Sequence, residues 1–181
     1  MKIYTKTGDS GVTSILGGKR VYKDCVEMEV IGELDELNAA VGVISALLND
    51  QIVVREKVFK IQNDLFVIGS NMAAIQTDLV DVPKIKDSDV EYVENWIDEM
   101  DKELDELHQF ILPTGNLVAA QTFLARAICR RAERQLIALS KSYEIDDLIK
   151  RYLNRLSDLL FTLARWLNQK SGVGDIKWKK E

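Results

Sequence analysis

Histidine is almost absent from this chain of 181 residues, and His108 is its sole representative. A metal-carboxylate bundle built on two Glu-x-x-His pairs is thereby excluded, and the residue three positions before His108 is Asp105 rather than a glutamate. Cysteine is nearly as scarce. Cys25 and Cys129 cannot form a disulfide framework, and neither has the second cysteine or neighbouring histidine of a zinc site, so both read as reduced thiols. No apolar stretch approaches the roughly 20 residues that cross a bilayer, and the first residues lack the charged-then-apolar pattern of a secretory signal. The expectation is a cytoplasmic protein with no membrane partner. No Pro/Gly/Ser-rich linker and no repeat of fixed period divides the chain, so residues 1–181 read as a single domain, with 46% hydrophobic content for its core.

Positive charge is in deficit overall, at a net −5, which argues against nucleic-acid binding. Its distribution is uneven. Residues 1–23 carry Lys2, Lys6, Lys19, Arg20 and Lys23 against Asp9 alone, whereas residues 87–108 hold ten acids against Lys102. An anionic partner belongs at the basic end.

Apolar residues recur at helical spacing almost everywhere beyond residue 25. Leu34, Leu37, Val41, Ile44 and Leu48 mark one helix, and Val54 through Ile75 a second. After Pro83, Val90 to Leu104 give a third; Leu117 to Leu136 and Leu153 to Leu167 give the fourth and fifth. The expected fold is all-α, a five-helix antiparallel, ferritin-like up-down bundle over residues 25–169. Residues 1–24 break the pattern with Gly8, Gly11, Gly17 and Gly18 among Thr5, Thr7, Ser10, Thr13 and Ser14. They read as an irregular Gly-rich loop whose amides, hydroxyls and lysines suit an anion; a polar arm without a ligand is the plain alternative. It is not a Walker P-loop, because Thr13 stands at the first glycine position and Arg20 replaces the Ser or Thr. Residues 170–181, with Trp178, read as a flexible tail or as a segment that folds over a bound ligand.

The fourth helix carries Arg126, Arg130, Arg131 and Arg134 within nine residues, with Glu133 among them. At about 100° per residue, Arg126, Arg130 and Glu133 share one sector with Arg134 at its margin. Such a row of planar cations matches polyphosphate oxygens, unless it is simply a solvated face. Glu133 is placed to orient an arginine or reach a cation. Arg131 points the other way, beside Leu124 and Ile128, and reads as ion-paired and structural. The first helix has a seam of small residues, Gly32, Ala39, Gly42 and Ala46, in which Asp35 is the lone charge and calls for an arginine. Asn154 suits a base or ribose, or a tie between helices. The apolar loop Phe110 to Gly115 suits a second, non-phosphate ligand, or a cover over the bundle end.

Six motifs in order, Tyr4-Thr-Lys-Thr-Gly-Asp-Ser-Gly-Val-Thr13, Gly32-Glu-Leu-Asp-Glu-Leu-Asn38, Ile61-Gln-Asn-Asp-Leu-Phe66, Phe110-Ile-Leu-Pro113, Cys129-Arg-Arg-Ala-Glu-Arg134 and Leu153-Asn-Arg-Leu-Ser-Asp158, resemble the propanediol-utilisation type of ATP:cob(I)alamin adenosyltransferase. The resemblance implies a homotrimer with active sites between subunits, using ATP, Mg²⁺ and cob(I)alamin. It implies that Thr5, Lys6, Thr7, Gly8, Thr13, Ser14 and Lys23 hold the nucleotide together with Arg130, Glu133, Arg134 and Asn154, a set to which Arg131 belongs by its place in the motif. Arg126 would pair with Asp35 of the neighbouring chain, and Phe110 would displace the corrinoid's lower axial ligand; Arg126, Arg130, Asp35 and Phe110 form the implied catalytic group. No protein side chain is expected to ligate a metal. A flavoprotein reductant and a B12-dependent acceptor enzyme are the implied partners, and a non-catalytic ATP sensor or corrinoid carrier is the alternative function. Ser10 and Thr114 depart from the family pattern, where lysine and glycine are common.

Overall fold

The computed structural model describes residues 3–48 and 51–179. Lys2, counted in the basic N-terminus, and Lys180 and Glu181 of the tail lie outside the described residues, as do Met1, Asn49 and Asp50. Among the described residues five helices make the body: α1 (Val26–Leu47), α2 (Ile52–Ala73), α3 (Asp87–Asp101), α4 (Leu117–Leu139) and α5 (Asp147–Lys170). None is long and apolar enough to cross a membrane. Local chemistry sets several of their starts. Asp89 accepts the Lys86 backbone N–H at 3.0 Å, Asn116 accepts Ala119 N–H at 2.9 Å, and Asp146 accepts Leu148 N–H at 2.9 Å, each satisfying an amide at a helix entrance. The apolar repeats of α2 and α3 run past the helices, since Ile75 and Leu104 fall beyond their last turns.

The helices lie in the order α2, α1, α4, α5, α3. Contacts fix their directions. Glu27 of α1 reaches Gln76, beyond α2, while Asn38 donates to the Gln62 carbonyl at 3.3 Å, so α1 and α2 are antiparallel. Asp87, Glu94 and Glu103 pair with Arg151, Arg155 and Lys170 in the same order, so α3 and α5 run parallel, as the third and fifth members of an up-down succession must. One core cluster draws on all five helices, with Leu37, Ile44, Ile68, Val93, Leu136, Leu153 and Leu156 sealed from solvent. Removing water from this apolar surface is the main source of stability.

The N-terminal segment is not wholly irregular. β1 (Val12–Ser14) pairs antiparallel with β2 (Arg20–Tyr22), matching Val12 with Tyr22, Thr13 with Val21 and Ser14 with Arg20. The intervening turn buries Ile15 and docks on the end of α2, where Leu16 N–H donates to the Ala73 carbonyl at 3.1 Å. Gly17 is required there: its φ is +83°, and a Cβ would lie 2.7 Å from Thr77. The tail, which reads as flexible, is docked through residues 175–178. Leu112 N–H donates to the Ile176 carbonyl at 2.8 Å, Trp178 N–H donates to the Phe110 carbonyl at 2.9 Å, and Ile111 bridges Lys177.

Candidate active site

α4 buries Ala119, Phe123, Ile128, Ala132 and Leu136 against the bundle, which leaves Arg126, Arg130 and Arg134 at four-residue spacing on its outer side. Arg126 is half-buried, its guanidinium 5.2 Å above the Phe161 ring, which itself meets Phe123 edge-on. Arg130 and Arg134 are exposed, and Arg134 Nη1 donates to the Arg130 carbonyl at 3.1 Å. None of the three has a carboxylate partner among the described residues. Glu133, the one acid of α4, accepts from Asn154 Nδ2 of α5 at 2.9 Å. Asn154 Oδ1 in turn accepts from Arg155 Nη1 at 2.8 Å, and Arg155 Nε is held by Glu94 at 2.8 Å.

Behind this face Cys129 is sealed, its thiol donating to the Leu153 carbonyl at 3.4 Å. Burial pushes the thiol far up, Glu133 pushes it further, and Arg130 and Arg126 oppose only in part, so it is not a nucleophile. Arg131 turns toward α1, with Nε donating to both Glu33 oxygens at 2.7 and 2.6 Å and Nη2 to Glu36. This corrects its place in the nucleotide-binding set: two carboxylates already occupy its guanidinium, and its role is to join α4 to α1.

The N-terminal candidates gather on the hairpin. Thr5 and Thr7 share a hydroxyl hydrogen bond of 2.8 Å, Lys6 adopts a left-handed φ of +59° with its ammonium 5.8 Å above the Tyr4 ring, and Thr13 and Ser14 lie on β1. Lys23 crosses Gly8, where a Cβ would come within 3.3 Å of its Nζ. Arg20 organises the group: Nη2 donates to the Thr7 carbonyl at 2.7 Å and the Val12 carbonyl at 3.2 Å, and Nη1 to Ser14 Oγ at 3.3 Å. Sequence reasoning missed this role, because it depends on a strand register that places Arg20 opposite Ser14.

Among the described residues no hydrogen bond or ion pair joins the hairpin set to the α4 set. Asp35 is exposed on a groove of ≈ 390 Å³ between α1 and α2, with Leu16, Gly32, Phe66, Gly69 and Ala73 around it, and Phe66 is 70% exposed. Phe110 lies elsewhere, 79% exposed on the segment before α4. Its ring meets Trp178 edge-on with centroids 6.5 Å apart, beside an open cavity of ≈ 600 Å³ lined by Leu107, His108 and Gln109. The arrangement offers a cationic row, a hydroxyl- and amide-rich hairpin, and an apolar aromatic platform.

Residues 3–167 match the profile of the cobalamin adenosyltransferase family. A corrinoid adenosyltransferase of Bacillus subtilis is 42% identical over 183 residues, spanning 99% of this chain and 93% of its own. A cobalamin adenosyltransferase of Cupriavidus metallidurans is 38% identical over 180 residues, spanning 99% of this chain and 95% of its own. Among solved structures, a variant PduO-type ATP:corrinoid adenosyltransferase from Lactobacillus reuteri complexed with cobalamin and ATP superposes with a TM-score of 0.94 at 33% identity, covering 99% of this chain and 100% of that one.

Proposed function

The chain belongs to the cobalamin adenosyltransferase family, and on that premise we propose its reaction: transfer of the 5′-deoxyadenosyl group of ATP to the cobalt of cob(I)alamin. The cobalt electron pair forms the bond to C5′, the C5′–O bond breaks, and triphosphate leaves with the released pair. The nucleophile belongs to the corrinoid, so the protein supplies geometry and charge. The row of Arg126, Arg130 and Arg134, free of carboxylates among the described residues, is the observation that carries this reading. Guanidiniums carried on one helix face oppose the charge that develops on the leaving oxygens.

The nucleotide is assigned to Thr5, Lys6, Thr7, Gly8, Thr13, Ser14 and Lys23 on one side and to Arg130, Glu133, Arg134 and Asn154 on the other. Arg20 fixes the shape of the first set. Mg²⁺ would accompany ATP and neutralise phosphate charge; Glu133, the one acid of α4, would face that cation or orient an arginine, while ATP rather than a side chain carries the metal. Among the described residues no hydrogen bond or ion pair joins the two sets, and on this reading a second copy of the chain completes the site. An interface between copies, which the motif resemblance makes a homotrimer, is supported by the exposed, apolar-framed Asp35, by Arg126 without an acid among the described residues, and by exposed Phe66, Leu117 and Leu124. Phe110 offers the corrinoid an apolar face in place of its lower ligand, which favours reduction to the nucleophilic state. A flavoprotein supplies the electron and a B12-dependent enzyme receives the product.

Purified protein given ATP, Mg²⁺ and chemically reduced cobalamin forms adenosylcobalamin and releases triphosphate on this reading. Binding of both ligands without product would instead identify a carrier.

A further inference from the structure

Arg165 is 5% exposed, deep on α5, yet its guanidinium serves two segments far from each other in sequence. Nη2 donates to the Asp105 carbonyl at 2.7 Å, in the stretch between α3 and α4, and Nε donates to Asp175 Oδ2 at 2.8 Å, in the tail. The other Asp175 oxygen is buried without a hydrogen-bond partner, so the ion pair dominates that carboxylate's stabilisation. From this pin the tail runs beside residues 110–112 as a short ladder, with Ile176 accepting from Leu112 and Trp178 donating to Phe110. Gly174, at φ +67°, provides the bend just before Asp175.

The Phe110 ring itself stands largely in solvent and is met by the Trp178 edge. Core packing therefore does not set its direction. Its backbone is set by the ladder, and the ladder is anchored by Arg165. We propose that the Arg165–Asp175 pair is a clasp that positions Phe110 for the corrinoid, making the C-terminal segment a working part of that half of the site. The proposal rests on the adenosyl-transfer reading and on the role given to Phe110 there. Arg165 is a positioning residue: it acts through the Asp105 backbone and the tail.

Asp175→Asn in the full-length protein keeps the side-chain shape and removes the charge outside the five helices, whose integrity is checked by circular dichroism. Trypsin cleavage after Lys177 is expected to rise about tenfold, because a segment released from its anchor opens more often. With ATP and cob(II)alamin bound, the fraction of corrinoid lacking its lower ligand, read by electron paramagnetic resonance, falls at least about twofold, while the KM for ATP stays within about twofold. Asp175→Glu, which retains the charge, stays nearer to wild type than Asp175→Asn on both readouts. Unchanged cleavage, or faster cleavage with an unchanged spectrum, overturns the positioning role. A wild-type protein whose bound cob(II)alamin keeps its lower ligand sinks the reading of Phe110 instead, and the cleavage comparison then decides the clasp by itself.

Discussion

Glu133 of α4 accepts a hydrogen bond from Asn154 of α5 at 2.9 Å, and Asn154 is held in turn by Arg155. The contact ties down the one carboxylate that shares α4 with Arg126, Arg130 and Arg134. An acid committed to α5 leaves the neighbouring guanidiniums available to an incoming anion.

Arg130→Ala is expected to lower kcat by about 10²–10³-fold, the usual consequence of removing one preorganised donor to a developing anion. The residue is exposed and makes no ion pair among the described residues, so the melting temperature stays near wild type. Arg130→Lys restores part of the rate, since an ammonium keeps the charge but not the two-pronged geometry. Triphosphate release measures all three, and a near-normal rate in Arg130→Ala would remove its assigned role.

Phe110→Ala is expected to slow turnover from cob(II)alamin far more than turnover from pre-reduced cob(I)alamin. The exposed ring contributes little to folding, so the difference reports on reduction. Equal slowing from both starting states would discard the lower-ligand argument.

Asp35→Ala and Arg126→Ala are each expected to weaken assembly, seen by sedimentation as a shift toward smaller species at micromolar protein. If the two side chains meet across subunits, the double variant is no worse than either single one. Additive losses would mean that they act separately.

Tyr143→Phe tests a buried acid. The Tyr143 hydroxyl donates to Glu27 at 2.5 Å and Gln76 donates to the same oxygen, and Tyr143 first among these holds the Glu27 carboxyl below its ordinary value against the opposing effect of burial. A depressed folded-state pKa stabilises the protein fully above the ordinary carboxylate range, and that contribution disappears as pH falls through the folded value. The variant is therefore expected to be less stable by about 1 kcal/mol at neutral pH, with the gap to wild type closing in acid. Urea denaturation across that range checks both the size and the sign.

The five helices were legible because their apolar periods are long and regular, as in Leu34, Leu37, Val41 and Ile44. Periodicity overran the ends of α2 and α3 because Ile75 and Leu104 remain half-buried beyond the last helical turn. The hairpin was hidden: strands of three residues, separated by a turn with Gly17 and Gly18, give too few alternations to register. Arg131 was legible as an ion-paired residue from its angular position, although nothing local named Glu33 and Glu36 as its acids. The clasp was hidden for a related reason: Arg165 is an isolated cation between Ala164 and Trp166, and only tertiary structure brings Asp105 and Asp175 to it. The proposal that one chain's hairpin meets another's arginines came from the motif resemblance, because periodicity within a chain carries no information about its neighbours.

Cys25 and Cys129 are both free thiols, and the second is sealed beneath the arginine face. Preparing cob(I)alamin demands powerful electron donors, which would cleave the cross-links of a disulfide-stapled protein. This scaffold offers them no such bond, so the solution that arms the substrate leaves the catalyst's covalent framework intact.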